Sequence, residues 1–117
     1  MNSNTQFKKM EPEVEMLFAN FSKYGFNIIS AFLHYESFGD FEIILESKLY
    51  RLRFIKDKGQ LFIDIASMTK KNEWQNIFDI FNKCIGLNLD PVYLCNHPDE
   101  LIEIVSKNFG SIKQENI

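Results

Sequence analysis

The sequence predicts an α+β domain in which three helices pack on a four-stranded antiparallel sheet, in the order α-β-β-β-β-α-α. Between residues 41 and 65, apolar side chains alternate with polar ones over three consecutive stretches, which is the period of half-buried strands. Before and after the sheet, apolar residues recur every three or four positions, as along amphipathic helices. At 117 residues the chain fits one domain, with flexible tails at 1–9 and 111–117.

The first helix is predicted from Pro12, which suits a first turn, to Gly25, which suits a helix end. Its apolar stripe is Val14, Leu17, Phe18, Phe21 and Tyr24. A β-branched and aromatic stretch then predicts a strand over 26–35. Two sets of its residues alternate and both are apolar, so the inward face stays open: Ile29, Ala31, Leu33 and Tyr35, or Phe26, Ile28, Phe32 and His34.

The next three strands constrain one another through their turns. We expect two-residue turns at Ser47-Lys48 and Lys58-Gly59. The apolar pairs that follow from these turns are Leu45–Tyr50, Ile43–Leu52, Phe41–Phe54, Phe54–Ile63 and Leu52–Ile65. On the other face Arg53 then lies between Glu42 and Asp64, which predicts a cross-strand charge ladder. A slip of one residue would turn every side chain to the wrong face.

Two more helices are predicted after the sheet. The second begins at Asn72 or Glu73 and ends at Gly86, with a buried stripe of Trp74, Ile77, Phe78, Phe81, Cys84 and Ile85. Residues 92–94 suggest a short extended piece. The third helix is capped by Asn96 or His97 and ends at Gly110. Its inward residues are Leu101, Ile104, Val105 and Phe109.

The charge of the chain is mildly negative, at −3, which disfavours non-specific nucleic-acid binding. Residues 47–71 are nevertheless basic, with seven bases against two acids. The alternative they leave open is an RNA-binding strip of Arg51, Arg53, Lys56 and Lys58. The N-terminus has no secretory pattern and no run of residues is long and apolar enough for a membrane span, so we expect a cytoplasmic protein.

We expect neither a catalytic nor a metal site, and no cofactor. The glycines are scattered singly, and no phosphate-binding loop, nucleophile elbow or zinc-protease motif is present in the sequence. The best metal candidate combines Cys95 and His97 with Cys84 and His34, but only one of its pairs has the close spacing of structural zinc ligands. The two cysteines are therefore expected to be reduced thiols that fill space.

The acidic residues are better candidates for binding a protein. One group surrounds the hairpin that follows the first strand and comprises Glu36, Asp40, Glu42 and Glu46. The other surrounds the third helix and comprises Asp90, Asp99, Glu100 and Glu103. Either could be an ordinary solvated face, and either could occupy the basic cleft of a nuclease.

A resemblance favours the second possibility. The stretch from Phe38 to Ile85 contains a Phe-Gly-Asp-Phe turn at 38–41, Leu-Arg-Phe at 52–54, Asp-Lys-Gly-Gln-Leu-Phe-Ile-Asp at 57–64 and a helix led by Trp74. It resembles small immunity proteins encoded beside bacterial polymorphic toxins, including contact-dependent growth-inhibition systems. The resemblance implies a non-catalytic cytoplasmic protein that binds the toxic C-terminal domain of a cognate effector, often a nuclease, and occludes it.

Two alternatives remain open. One is an intracellular adaptor or homodimeric module that pairs through an exposed strand edge. The other is the small RNA-binding protein described above.

Overall fold

The computed structural model describes residues 12–34 and 40–117. It is an α+β structure with an antiparallel meander of five strands in the spatial order β1-β2-β3-β4-β5. The elements are α1 (Pro12–Ser22), β1 (Asn27–His34), β2 (Asp40–Glu46), β3 (Tyr50–Asp57), β4 (Gln60–Ser67), β5 (Gln75–Asn76), α2 (Ile77–Ile80), a π-helical turn (Phe81–Ile85), α3 (Pro91–Cys95), α4 (Pro98–Asn108) and two 3-10 turns (Phe109–Ser111 and Gln114–Asn116). No helix in the described ranges is both long and apolar enough to cross a membrane.

The predicted antiparallel α+β fold is confirmed, but the prediction lacked one strand and one helix. The missed strand, β5, is two residues long and pairs Asn76 with Asp64, which is too short to leave a pattern in the sequence. The missed helix, α3, replaces the extended piece expected at 92–94. Asp90 Oδ1 accepts hydrogen bonds from the Val92 and Tyr93 amides at 3.1 and 3.4 Å, and Pro91 fixes the first turn.

The hairpin between β3 and β4 has the predicted register. Leu52 faces Ile65, Phe54 faces Ile63 and Arg53 faces Asp64. The turn residues Lys58 and Gly59 both have positive φ, at 52° and 83°. This is the conformation of the two-residue turns that match the twist of a hairpin.

The predicted register between β2 and β3 is wrong by two residues. Leu45 faces Leu52 and Ile43 faces Phe54, because Ser47 pairs with Tyr50 and the turn residues are Lys48 and Leu49 instead of Ser47 and Lys48. The Ser47 amide donates to the Tyr50 carbonyl at 2.9 Å, and Ser47 Oγ accepts from the Tyr50 amide at 3.2 Å. A shift of two keeps every side chain on its face, but it places Glu42 opposite Ile55 rather than Arg53, so the predicted ladder loses Glu42.

Strand β1 follows neither of the two predicted face assignments. The pairing with β2 shifts between Ile28 and Ser30, so that Ile29 forms a β-bulge. Phe26 and Ile28 turn inward before the bulge, and Ala31 and Leu33 turn inward after it. Ile29 and Phe32 are 55% and 60% exposed. Because of this extra residue, the inward positions belong to one alternating set before the bulge and to the other set after it.

The helices and the inward residues of the sheet share one core. Leu17 and Phe21 of α1, Ile77 and Ile80 of α2, and Leu101, Ile102 and Val105 of α4 join the same cluster as the inward residues of β2, β3 and β4. Phe109, just after α4, contacts four aromatic rings with centroid distances of 5.1–6.1 Å, those of Phe21, Tyr24, Phe26 and Tyr50. The side chains of the described helices thus pack on the inner face of the sheet.

Several residues of the predicted stripes lie elsewhere. Phe18 is 38% exposed, and Cys84 is exposed on the π-helical turn. Trp74 precedes α2, which begins later than predicted because Asn76 is its N-cap and accepts from the Phe78 amide at 2.8 Å. In the segment expected to be a flexible C-terminal tail, Ile112 is buried and Ile117 packs partly buried against the core.

Candidate protein-binding surface

The short helix α3 presents two apolar side chains to solvent. Leu94 and Cys95 are buried and fix its inner side to the core. Val92 and Tyr93 consequently point outward, with 75% and 47% of their surface exposed. Together with the start of α4 they form a compact surface at residues 90–100, here called the α3–α4 corner. Sequence patterning missed it because a five-residue helix shows no periodic stripe.

The Tyr93 ring is held in place by His97. The two rings stack with centroids 3.9 Å apart and an interplanar angle of 14°. His97 Nδ1 lies 2.7 Å from the Tyr93 carbonyl oxygen, and since a carbonyl only accepts, Nδ1 carries the proton. His97 occupies the N-cap position of α4, as one of the two predicted caps, but its side chain does not cap the helix. It reaches back to α3 and fixes the corner instead.

Both helices of the corner carry carboxylates. Asp99 and Glu100 lie exposed in the first turn of α4, and Glu103 is exposed one turn further on. Hydrogen bonding to Glu100, followed by its negative charge, raises the pKa of the Tyr93 hydroxyl. Asp90 lies at the start of α3, where it caps that helix. Of the second predicted acidic group, Asp90 thus caps α3 and Glu100 interacts with Tyr93, while Asp99 and Glu103 lie exposed on α4, which packs against α3.

Two open hollows border the corner. One, of about 560 Å³, lies between the β3–β4 turn and α4, and is lined by Lys56, Gly59, His97, Pro98, Asp99 and Glu100. The other, of about 420 Å³, runs beside Val92 and includes the exposed edge of Phe62. Gln60 Nε2 donates to Asn96 Oδ1 at 3.2 Å and ties the hairpin to the corner. The apolar residues of the corner thus have concave neighbours that a partner could enter.

The first predicted acidic group is not gathered into one site. Glu36 lies outside the described residues. Asp40 Oδ1 accepts from the Lys58 amide at 2.9 Å, and Glu46 Oε2 accepts from Arg51 Nε at 2.9 Å. These two carboxylates start and end β2, a separation of about 20 Å at the rise of an antiparallel strand. Glu42 lies between them on the outer face of the sheet.

The two arginines of the predicted basic strip are engaged inside the protein. Arg53 pairs with Asp64, with Nη2 2.8 Å from Oδ2, and Arg51 pairs with Glu46. Arg51 Nη1 also donates to the Lys71 carbonyl at 2.7 Å. Trp74 covers both guanidinium groups. Lys56 lines the larger hollow and Lys58 lies exposed in the turn, so the strip does not form a continuous basic surface.

Cys84, Cys95 and His97 do not assemble into a metal site in the part of the chain that the structure describes, and the side chain of His34 lies outside that part. No group of three or more His, Cys, Asp or Glu residues there is placed to hold a metal ion. Cys84 is exposed and Cys95 is buried, and both are free thiols. His97 is engaged with Tyr93 as described above. The Cys95 thiol donates to the Val92 carbonyl at 3.5 Å, a contact within α3.

Comparison of the chain with protein-family models, with curated proteins and with solved structures found no match.

Proposed function

We propose that this protein is an immunity protein, which binds the basic toxic domain of a cognate bacterial effector through the α3–α4 corner and neutralises it by occlusion in the cytoplasm. The observation that carries the proposal is the exposure of Val92 and Tyr93 on a helix that Asp90 caps and that packs against the acidic first turn of α4, which contains Asp99 and Glu100. An apolar centre with a charged rim is the usual anatomy of a protein interface.

The centre of the corner is suited to act as a binding hot spot. Covering a Val side chain fully contributes about 1.5 kcal/mol or more, and Tyr is among the residues enriched at hot spots. The Tyr93 ring is already stacked on His97 before any partner arrives. Its ordering therefore costs little free energy when the complex forms, which favours high affinity.

The negative charge of the rim indicates that the partner carries positive charge. Asp99, Glu100 and Glu103 are exposed on α4, which packs against α3, and their field attracts a basic surface over about one Debye length, roughly 8 Å at physiological salt. Toxins that cut nucleic acids carry basic clefts because they bind phosphate backbones. A nuclease domain would present such a cleft to the corner and would lose access to its substrate while bound.

Binding to the toxic domain encoded next to this protein, measured by calorimetry with purified proteins, tests the proposal. Val92→Asp and the pair Asp99→Lys with Glu100→Lys should each raise the Kd about 30-fold or more, the effect of losing a hot spot of about 2 kcal/mol. Glu15→Lys and Glu73→Lys are the matched controls, because both residues are exposed and lie outside the corner. Both should leave the Kd within about threefold of wild type. The corner variants should rescue cells expressing the toxin less well than wild type, and the two control variants should rescue them as well as wild type.

Different results would contradict the α3–α4 corner as the interface and the immunity function itself. Tight binding that every corner variant retains would overturn the α3–α4 corner as the interface. If the neighbouring toxin does not bind and cells are not rescued, the immunity function itself is wrong. Several partners of moderate affinity would favour the adaptor alternative, and RNA retained by the purified chain would favour the RNA-binding one. The internal ion pairs of Arg51 and Arg53 weigh against the latter.

A further inference from the structure

Strand β1 forms an edge of the sheet that is incompletely covered on both faces. The inward residues of β2, β3 and β4 from Phe41 to Ile65 are buried, most of them with no exposed surface. The inward residues of β1, Ile28, Ala31 and Leu33, are only partly buried, and Phe32 on its outer face is 60% exposed. Within 12–34 and 40–117, the only strand that pairs with β1 is β2. A strand added at this edge would bury apolar surface on both faces.

The edge lacks the protections that edge strands normally carry. From Asn27 to His34 it contains no Lys, Arg, Asp, Glu or Pro. Its one protective feature is the bulge at Ile29, which disturbs the pairing only between Ile28 and Ser30. The stretch 30–33 is regular, and no strand among residues 12–34 and 40–117 pairs with its outer side.

The absence of charge points to a second copy of this chain as the occupant. Two copies each carry a net charge of −3, so most surfaces that meet about a two-fold axis bring like charges together. An uncharged edge avoids that repulsion. The basic partner invoked for the α3–α4 corner gains no electrostatic attraction from β1, so it has no charge reason to bind here.

The side chains fix the register of such a pairing. Opposite residues of an antiparallel pair must point to the same face, so an axis through a residue keeps the two inner faces aligned. An axis at Phe32 places the two Phe32 rings opposite each other on the outer face, and sets Ala31 against Leu33 of the second copy, small against large, on the inner face. We infer that two copies of this protein associate through antiparallel pairing of β1 about an axis at Phe32, forming one continuous sheet.

The inferred dimer leaves the α3–α4 corner accessible. Helices α3 and α4 contact β4, which is separated from β1 by the two strands β2 and β3. The two corners would therefore lie towards opposite ends of the joined sheet, and the dimer would carry two separate binding surfaces. The inference does not depend on the proposed immunity function.

Analytical ultracentrifugation of the full chain over a range of concentrations tests the inference. Wild type should shift from monomer to dimer as its concentration rises. Phe32→Lys and Phe32→Glu should each remain monomeric, because each places like charges opposite each other across the axis. A mixture of these two variants should recover the dimer. Val92→Lys changes an exposed apolar residue far from β1 and should dimerise as wild type does.

A wild-type protein that stays monomeric up to its solubility limit would overturn the inference, as would dimerisation by either single Phe32 variant. Recovery in the mixed sample is specific to contact between the two positions 32, and loss of folding cannot produce it. Circular dichroism spectra of the variants serve as the control for their folding. Binding of the toxic domain by Phe32→Lys, unchanged from wild type, would separate the two surfaces.

Discussion

Arg53 lies over the Trp74 ring, with its guanidinium carbon 4.4 Å from the ring centre. Arg51 lies over the same ring at 4.9 Å. Each arginine also pairs with a carboxylate, so one aromatic ring and two ion pairs close the outer face of the sheet where β5 begins. This arrangement, rather than a solvent-facing basic strip, accounts for the arginines that alternate along β3.

Trp74→Ala should lower the free energy of unfolding by about 1–2 kcal/mol, since each cation–π contact is worth roughly 0.5–1 kcal/mol at such partly exposed sites. Urea unfolding followed by circular dichroism measures it. Trp74→Phe keeps a ring over both arginines and should recover part of the loss. Equal losses for the two variants would show that contacts other than those of the ring stabilise this face.

The ion pair between Arg53 and Asp64 should couple by about 0.5–1 kcal/mol in a double-mutant cycle with Ala at both positions. The figure is small because both side chains retain some exposure, at 27% and 21%. Urea titrations of the four proteins at low salt and at 1 M NaCl give the coupling and its screening. A cycle of Glu42 with Arg53 is the control, and its coupling should be near zero because the observed register separates these residues.

Phe109→Ala should lower the free energy of unfolding by about 3–5 kcal/mol, the usual cost of emptying the site of a buried ring. Its ring contacts four others, contributed by α1, β3 and the segment between α1 and β1, so its loss loosens the attachment of α4 to the domain. Thermal and urea unfolding measure the effect. Phe18→Ala removes a ring that is 38% exposed and should cost much less. Similar losses at the two positions would contradict the central role of Phe109.

Gly59→Ala should destabilise the protein by about 1–2 kcal/mol through backbone conformation alone. Gly59 has φ of 83° and no atom within 4 Å of the position that a Cβ would occupy, so no steric clash contributes. Gly110→Ala is the matched control, because Gly110 has ordinary φ and the nearest atom, Tyr24 Cε1, lies at 3.9 Å. That variant should be neutral or slightly stabilising. Equal effects in urea unfolding would show that the turn is not strained by a side chain.

Glu100→Gln should lower the pKa of Tyr93 towards its ordinary value, because the Glu100 carboxylate accepts a hydrogen bond from the Tyr93 hydroxyl and repels the tyrosinate. A raised pKa in the folded state means that the contribution of this contact to stability is intact below the ordinary tyrosine pKa. The contribution is lost as the pH rises through the folded value. Absorbance titration of tyrosinate measures the shift, with Tyr93→Phe identifying the signal among the four tyrosines. An unchanged titration in Glu100→Gln would exclude the contact.

The sequence carries enough information to predict the register between β3 and β4, because alternation, charge pairing and the Lys58-Gly59 turn all specify the same pairing. The β2–β3 register could not be predicted, since the side-chain bond of Ser47 to the Tyr50 amide makes a connection that no glycine or asparagine marks. The sequence pattern places Trp74 in the apolar stripe of the second helix, and nothing in it indicates a position over the arginines. Its place over two arginines depends on the two-residue strand β5.

Only the charged residues of the candidate site can be predicted from the sequence. Asp99 and Glu100 were identified by their charge and their place at a helix start. The sequence predicts an extended piece at 92–94 and does not predict that Val92 and Tyr93 are exposed. Which apolar residues of a short segment turn outward depends on which of their neighbours are buried in the core, and here Leu94 and Cys95 are buried.

The bulge at Ile29 also bears on how relatives of this chain can be recognised. A homologue that lacks one residue between 28 and 30 would restore regular pairing there, and it would keep its apolar positions on the inner face on both sides of the gap, because removal of the bulged residue leaves a regular alternation. An alignment without a gap would set the apolar positions on one side of the bulge against polar ones. A one-residue gap at this point, with the polarity pattern preserved on both sides of it, is therefore the evolutionary signature that this fold would leave.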